Sequence, residues 1–142
     1  MKLNLTHSKQ LEITGYQNIN LLDKGYLSAT STLIDYSCEE IIVSEAINTL
    51  QQKELYELVE LLLAKLSING TMKMTMHDME YLCTLVNNEE AINRVLPSIN
   101  GVISIDTLQR VTNAKNAKIL SATISEGLLK IFITKAINET HQ

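Results

Sequence analysis

Two apolar patterns of different period stand back to back in the middle of this chain, and they limit its fold more than any other feature. Leu55, Leu58, Val59, Leu62 and Leu66 recur at i, i+3, i+4, i+7 and i+11, one stripe of a helix predicted over Leu50–Leu66. Glu54, Glu57 and Glu60 fall elsewhere on its surface, Thr49 and Gln52 have the spacing of a capping box, and Asn69-Gly70 reads as a stop signal. Met72, Met74 and Met76 then alternate with Thr71, Lys73 and Thr75, the period of a strand with one buried face. Helices alternating with strands imply an α/β sheet.

The flanking segments extend this order. Lys2–Leu5 and Gln17–Leu21 alternate as short strands, a weak strand fits Tyr26–Ala29, and Ile41–Ser44 is a β-branched run suited to a central strand. Asp78 is placed to cap a short helix running to about Val86, and a further helix is predicted around Thr107–Ala114. Lys118–Ile124 and Leu128–Lys135, on either side of Ser125-Glu126-Gly127, read as an antiparallel hairpin. The expected sheet is mostly parallel with an antiparallel end. No linker or repeat divides residues 1–142, so one domain is expected.

Connection length adds a second constraint. Only eleven residues separate the first two predicted strands, too few for a full crossover helix with its loops. Right-handed crossovers then put the longer helices on one face of the sheet. Lys2, Asn4, Asn18, Asn20, Lys73 and Thr75 make the strands half polar, where a sheet buried on both sides would be apolar throughout. The expectation is a two-layer domain with one open sheet face, covered by a protein partner or a second copy.

Composition narrows the function classes. The 142 residues are 45% hydrophobic and 20% charged, which suits a packed domain. Lys and Arg total 12 against 16 Asp and Glu, giving net −4, and the chain has no Trp and one Phe. Neither a basic patch nor a base-stacking platform is indicated, so no nucleic-acid partner is expected. No apolar run is long enough for a membrane span, MKLNLTHSKQ lacks a signal peptide's apolar stretch, and Cys38 and Cys83 make no CxxC pair. A cytoplasmic protein without membrane contact is expected. The Ile-, Asn- and Lys-rich composition points to an AT-rich genome, viral or of a streamlined bacterium.

Three stretches together resemble the class I S-adenosylmethionine-dependent methyltransferases, in particular their short type-11-like members. Lys2-Leu3-Asn4-Leu5 followed by Gly15-Tyr16-Gln17-Asn18-Ile19-Asn20 is similar to the family's first strand, loop and second strand. Glu39-Glu40-Ile41-Ile42-Val43-Ser44 resembles its fourth strand. The long helix, Asn69-Gly70-Thr71-Met72-Lys73-Met74 and His77-Asp78-Met79-Glu80-Tyr81-Leu82 resemble its fifth-strand region, and the terminal hairpin is the family's usual ending. The resemblance implies a Rossmann-like sheet with S-adenosylmethionine at the C-terminal ends of its strands. An active member would hold the cofactor with Thr6, His7, Ser8, Asn20, Ser44 and Glu45.

The departures bear on function. The family turns after its first strand on Gly-x-Gly, because the cofactor approaches too closely for a Cβ atom; here Thr6, His7 and Ser8 stand there. The acidic residue that takes the ribose hydroxyls is matched by Asn20, with Asp23 nearby. Glu45-Ala46-Ile47-Asn48-Thr49 replaces a His-x-x-Glu-His-like run. The expectation is a degenerate, non-catalytic methyltransferase-like domain without cofactor, serving as a binding or structural subunit; the alternative is an active methyltransferase with an unusual loop. His7, Glu45, His77 and Asp78 would share one sheet edge, and His7, Glu45 and His77 have metal-ligand chemistry, although a helix cap and surface residues explain them more simply and no metal is expected. The Met stripe reads as core, and no Ser-His-Asp or Cys-His order supports nucleophilic catalysis.

Overall fold

The computed structural model describes residues 1–78 and 99–136. Its strands are β1 (Lys2–Thr6), β2 (Gln17–Asn20), β3 (Cys38–Val43), β4 (Leu66–His77), β5 (Ala117–Ser125) and β6 (Leu128–Lys135). They form one sheet in the order β2-β1-β3-β4-β6-β5. The first four run parallel, and β6 lies antiparallel to both β4 and β5. The helices among the described residues are α1 (Tyr26–Ser31), α2 (Gln52–Lys65) and α3 (Ile105–Ala114). This is the mostly parallel sheet with a C-terminal hairpin that the periodicities predict, in the Rossmann-like form that the resemblance implies. The hairpin turns on Glu126-Gly127, both at positive φ (54° and 78°), as a two-residue loop matched to strand twist requires.

Helix α2 buries Leu55, Leu58, Val59, Leu62 and Leu63 completely. Its start differs from the capping-box expectation. Residues Glu45–Thr49 wind into a 3-10 turn, and the Thr49 hydroxyl donates to the Ala46 carbonyl at 2.6 Å within it. Gln51 becomes the N-cap, and the Gln52 amide is spent on the backbone of Val102. Asn69-Gly70 does not stop α2 either; the helix ends at Lys65, and Leu66 already pairs with Cys38 of β3. The pair instead forms a tight turn inside β4, with Asn69 at φ 66°. A Cβ on Gly70 would come within 2.8 Å of the Ser67 hydroxyl and 2.9 Å of its carbonyl, so only glycine fits.

Residues paired across strands share a sheet face. One face carries Leu3, Leu5, Ile41, Val43, Met72, Met74, Met76, Ile131 and Ile133, all buried in a single cluster with Leu58 and Leu62 of α2 and Leu108 of α3. The Met stripe is core. The opposite face carries, row by row, Lys2, Glu40, Thr71, Thr134 and Lys118, then Asn4, Ile42, Lys73, Phe132 and Ser121. Among the described residues no helix covers it, as the short first connection predicts. Its cover stops at one end. Asn4 is 3% exposed rather than open, because residues 7–16 fold down over it. The Asn4 amide donates to the Leu11 carbonyl at 3.1 Å and to the Asn18 side chain at 2.9 Å. Asn18 in turn binds the amide and carbonyl of Ile13 and the carbonyl of Tyr16. Two facing asparagines thus hold a loop where a longer connection would build a helix.

The weak strand expected near Tyr26–Ala29 is instead helix α1. With only Tyr26 and Thr30 buried, one turn apart, it carries no period that sequence inspection detects. Its shape comes from packing on α2, where the Tyr26 hydroxyl donates to Glu54 at 3.1 Å. The helix expected after Asp78, to about Val86, lies outside the described residues. No helix among those described is long and apolar enough to cross a membrane.

Candidate functional site

In an open α/β sheet, ligands bind beyond the C-terminal ends of the strands, where neighbouring crossovers run in opposite directions. Here that point lies between β1, whose chain continues to β2, and β3 on its other side. The strand ends and turns at this edge contain every residue with an expected cofactor role.

Each turn has a side chain engaged with its own backbone. After β1, the Ser8 hydroxyl accepts from the Gln10 amide at 3.1 Å and caps a short 3-10 turn, Lys9–Leu11. After β2, the Asn20 side-chain oxygen accepts from the Leu22 amide at 2.9 Å, an Asx turn. After β3, the Ser44 hydroxyl accepts from the Ala46 amide at 3.3 Å and caps the turn that begins at Glu45. Thr6 and His7 differ: the Thr6 hydroxyl and His7 Nδ1 are buried with no hydrogen-bond partner among the described residues.

His77 ends β4 and lies close enough to Glu45 for their charges to interact. Burial holds the imidazole below its ordinary pKa, and the Glu45 carboxylate opposes that shift. Its backbone amide donates to the Asn48 side chain at 2.8 Å. The structure therefore brings Glu45 and His77 together. Among the described residues, no three His, Cys, Asp or Glu side chains gather as a metal-ligand group, so His7 does not complete a set with them. Asp78 continues the chain with its amide donating to the Gly127 carbonyl at 3.1 Å, tying β4 to the hairpin turn.

Sequence reasoning missed Asn48, which organises this mouth. It is 1% exposed, accepts from His77 on one side and donates to the Gly101 carbonyl at 2.9 Å on the other. Its own carbonyl receives the amides of Asn100 and Gly101 at 2.7 and 3.1 Å. A Cβ at Gly101 would stand 2.5 Å from the Leu50 carbonyl, so glycine is required for this approach. The one advance signal was a polar residue between the apolar pair Ala46-Ile47 and Leu50; its partner, 53 residues away, left none.

A hollow of about 490 Å3 opens at the same edge, displaced toward β2 and lined by Leu21, Asp23, Tyr26, Leu27, Leu50 and Glu54. Burial, then the hydrogen bond to Glu54, pushes the Tyr26 phenol up to about 12, so it stays a proton donor throughout the neutral range. A smaller hollow of about 230 Å3 beside it is bordered by Asn20 and Asp23. Its lining is suited to hydrogen bonding and has no cationic side chain for an anion.

No family model and no curated protein matches the chain. Solved structures do. A SAM-dependent methyltransferase from Archaeoglobus fulgidus superimposes with a TM-score of 0.62 at 13% identity, over 92% of this chain and 74% of its own. An O-methyltransferase family protein from Burkholderia thailandensis gives 0.60 at 10% identity, over 87% of this chain. Magnesium protoporphyrin IX methyltransferase from Synechocystis, solved with bound SAH, gives 0.58 at 8% identity, over 89%. This chain spans only 36% of the Burkholderia protein and 55% of the Synechocystis one. At such identities the likeness concerns backbone architecture, and it agrees with the strand order and the terminal hairpin. The chain has the α/β fold of the class I SAM-dependent methyltransferases.

Proposed function

We propose that this domain keeps the methyltransferase fold without its cofactor chemistry, and serves as a binding or structural subunit whose open sheet face is covered by a protein partner or a second copy. The carrying observation is the turn chemistry at the sheet edge. Ser8, Asn20 and Ser44 stand where a cofactor would need polar contacts, and each is held back against its own turn. Thr6, His7 and Ser8 also place Cβ atoms where close approach to bare backbone is needed. The residues present therefore do not fit S-adenosylmethionine in the manner of the fold's active members, and no methyl-transfer step is assigned.

One observation favours the second reading, an active methyltransferase of unknown acceptor. The Thr6 hydroxyl and His7 Nδ1, buried at the end of β1 without partners, are atoms a polar ligand would satisfy. Calorimetry with S-adenosylmethionine and S-adenosylhomocysteine separates the two. Our reading expects no heat of binding at millimolar ligand. Saturable heat that disappears in Thr6→Val would establish the second reading in its place.

A further inference from the structure

The open face is not neutral. Over β4, β6 and β5 it presents Thr71, Lys73, Thr75, Lys130, Thr134, Lys118, Ser121 and Thr123 around Phe132, which is 39% exposed, and not one acidic side chain. Glu40, which continues the Thr71 row on β3, is already engaged: it holds the Tyr16 phenol, whose pKa it raises, and it lies opposite Lys2 in the strand register. Lys73 sits 5.7 Å from the centre of the Phe132 ring, a cation over an aromatic face. Lys118 and Lys130 have no ion-pair partner among the described residues, where Lys65 with Asp35 is the single ion pair. In a chain of net −4, three uncompensated lysines sit together around an exposed ring.

We propose that the face of β4, β6 and β5 docks an extended acidic protein segment, with carboxylates at Lys73, Lys118 and Lys130 and an apolar side chain on Phe132. This deepens the binding-subunit reading and rests on it. Size argues for an extended segment. Three strands about 4.8 Å apart and roughly eight residues at ~3.3 Å give a face of about 380 Å2, below the ~800 Å2 per partner of a standard stable interface. A second copy docked here alone would be held too weakly. Carboxylate fits better than nucleic acid, because the face has no Arg for bidentate phosphate contact and one ring where successive bases need several.

The test uses a fluorescein-labelled peptide of roughly eight residues, glutamates flanking a central leucine, titrated by polarisation at low salt. Binding should weaken at least tenfold in the double variant Lys73→Glu/Lys130→Glu, and severalfold in Phe132→Ala, while Lys53→Glu on the exposed side of α2 leaves it unchanged. Thermal melts by circular dichroism confirm that the surface variants fold. Affinity within twofold of the parent after the double reversal overturns the proposal. So does tighter binding of a labelled oligo-dT of equal charge, which would assign the face to single-stranded nucleic acid. Calorimetric binding of S-adenosylmethionine to the same preparation would sink the non-catalytic reading alone, and lysine-independent peptide binding would sink the docking surface alone.

Discussion

On β4 the two faces of the sheet are one residue apart. Met74 is wholly buried between β3, β6 and the helices, whereas Lys73 beside it stands in water over Phe132. A parallel sheet ordinarily has helices on both sides; among the residues described here, the helices share one side. The helix face therefore carries the folding energy and the open face is free to be polar. Surface chemistry on such a domain can change with little cost to the fold, which is what a binding unit needs.

The comparison makes unequal demands on neighbouring substitutions. Met74→Ala removes a fully buried side chain and should cost about 2–5 kcal/mol, while Lys73→Ala should stay within about 0.5 kcal/mol. Urea denaturation of both variants checks this. Equal losses would mean that the open face is packed as the helix face is, and the two-layer description would fail.

A polar residue should behave like core where the faces meet. Asn48→Ala leaves the His77 amide and the Gly101 carbonyl without partners in a buried place. With roughly 1–3 kcal/mol for each buried group left unsatisfied, at least about 2 kcal/mol of stability should be lost, read as a lower urea midpoint. A neutral result would show that the edge above β3 and β4 is wet.

How far these features are legible in sequence depends on where the determining partner lies. The α2 stripe, the Met alternation and the Glu126-Gly127 turn are written within a few residues, and each stands where its period or turn chemistry places it. Helix α1 is not, since Tyr-Leu-Ser-Ala-Thr-Ser has no marked preference and is shaped by α2. Asn4 reads as a solvent-facing residue until the loop over residues 7–16 is seen folded onto it. Asn48 is harder still, because its role depends on a carbonyl at Gly101 that no local pattern reveals. At the candidate site, sequence reading placed Thr6, His7, Ser8, Asn20, Ser44 and Glu45 on one sheet edge. Whether their polar atoms were free or already turned on their own backbone required coordinates.

The smallest expected effect tests His77, a titratable group on the open-face side of β4 that is nonetheless half-buried. Burial lowers its folded-state pKa and Glu45 partly restores it. A histidine depressed on folding binds its proton more readily when unfolded, so its contribution is complete above the unfolded pKa near 6.5 and is lost as pH falls through the folded value. The melting temperature should therefore drop as pH falls below about 6.5, and His77→Gln should flatten that slope. Glu45→Gln should steepen it, since without the carboxylate the imidazole titrates lower still and the gap between folded and unfolded states widens. Should the melting temperature instead rise as pH falls, with His77→Gln and Glu45→Gln each removing the rise, the pair is a stabilising ion pair and not a half-buried imidazole with a charge beside it. The sheet edge would then have to be redrawn as solvent-exposed at β4, continuous with the open face.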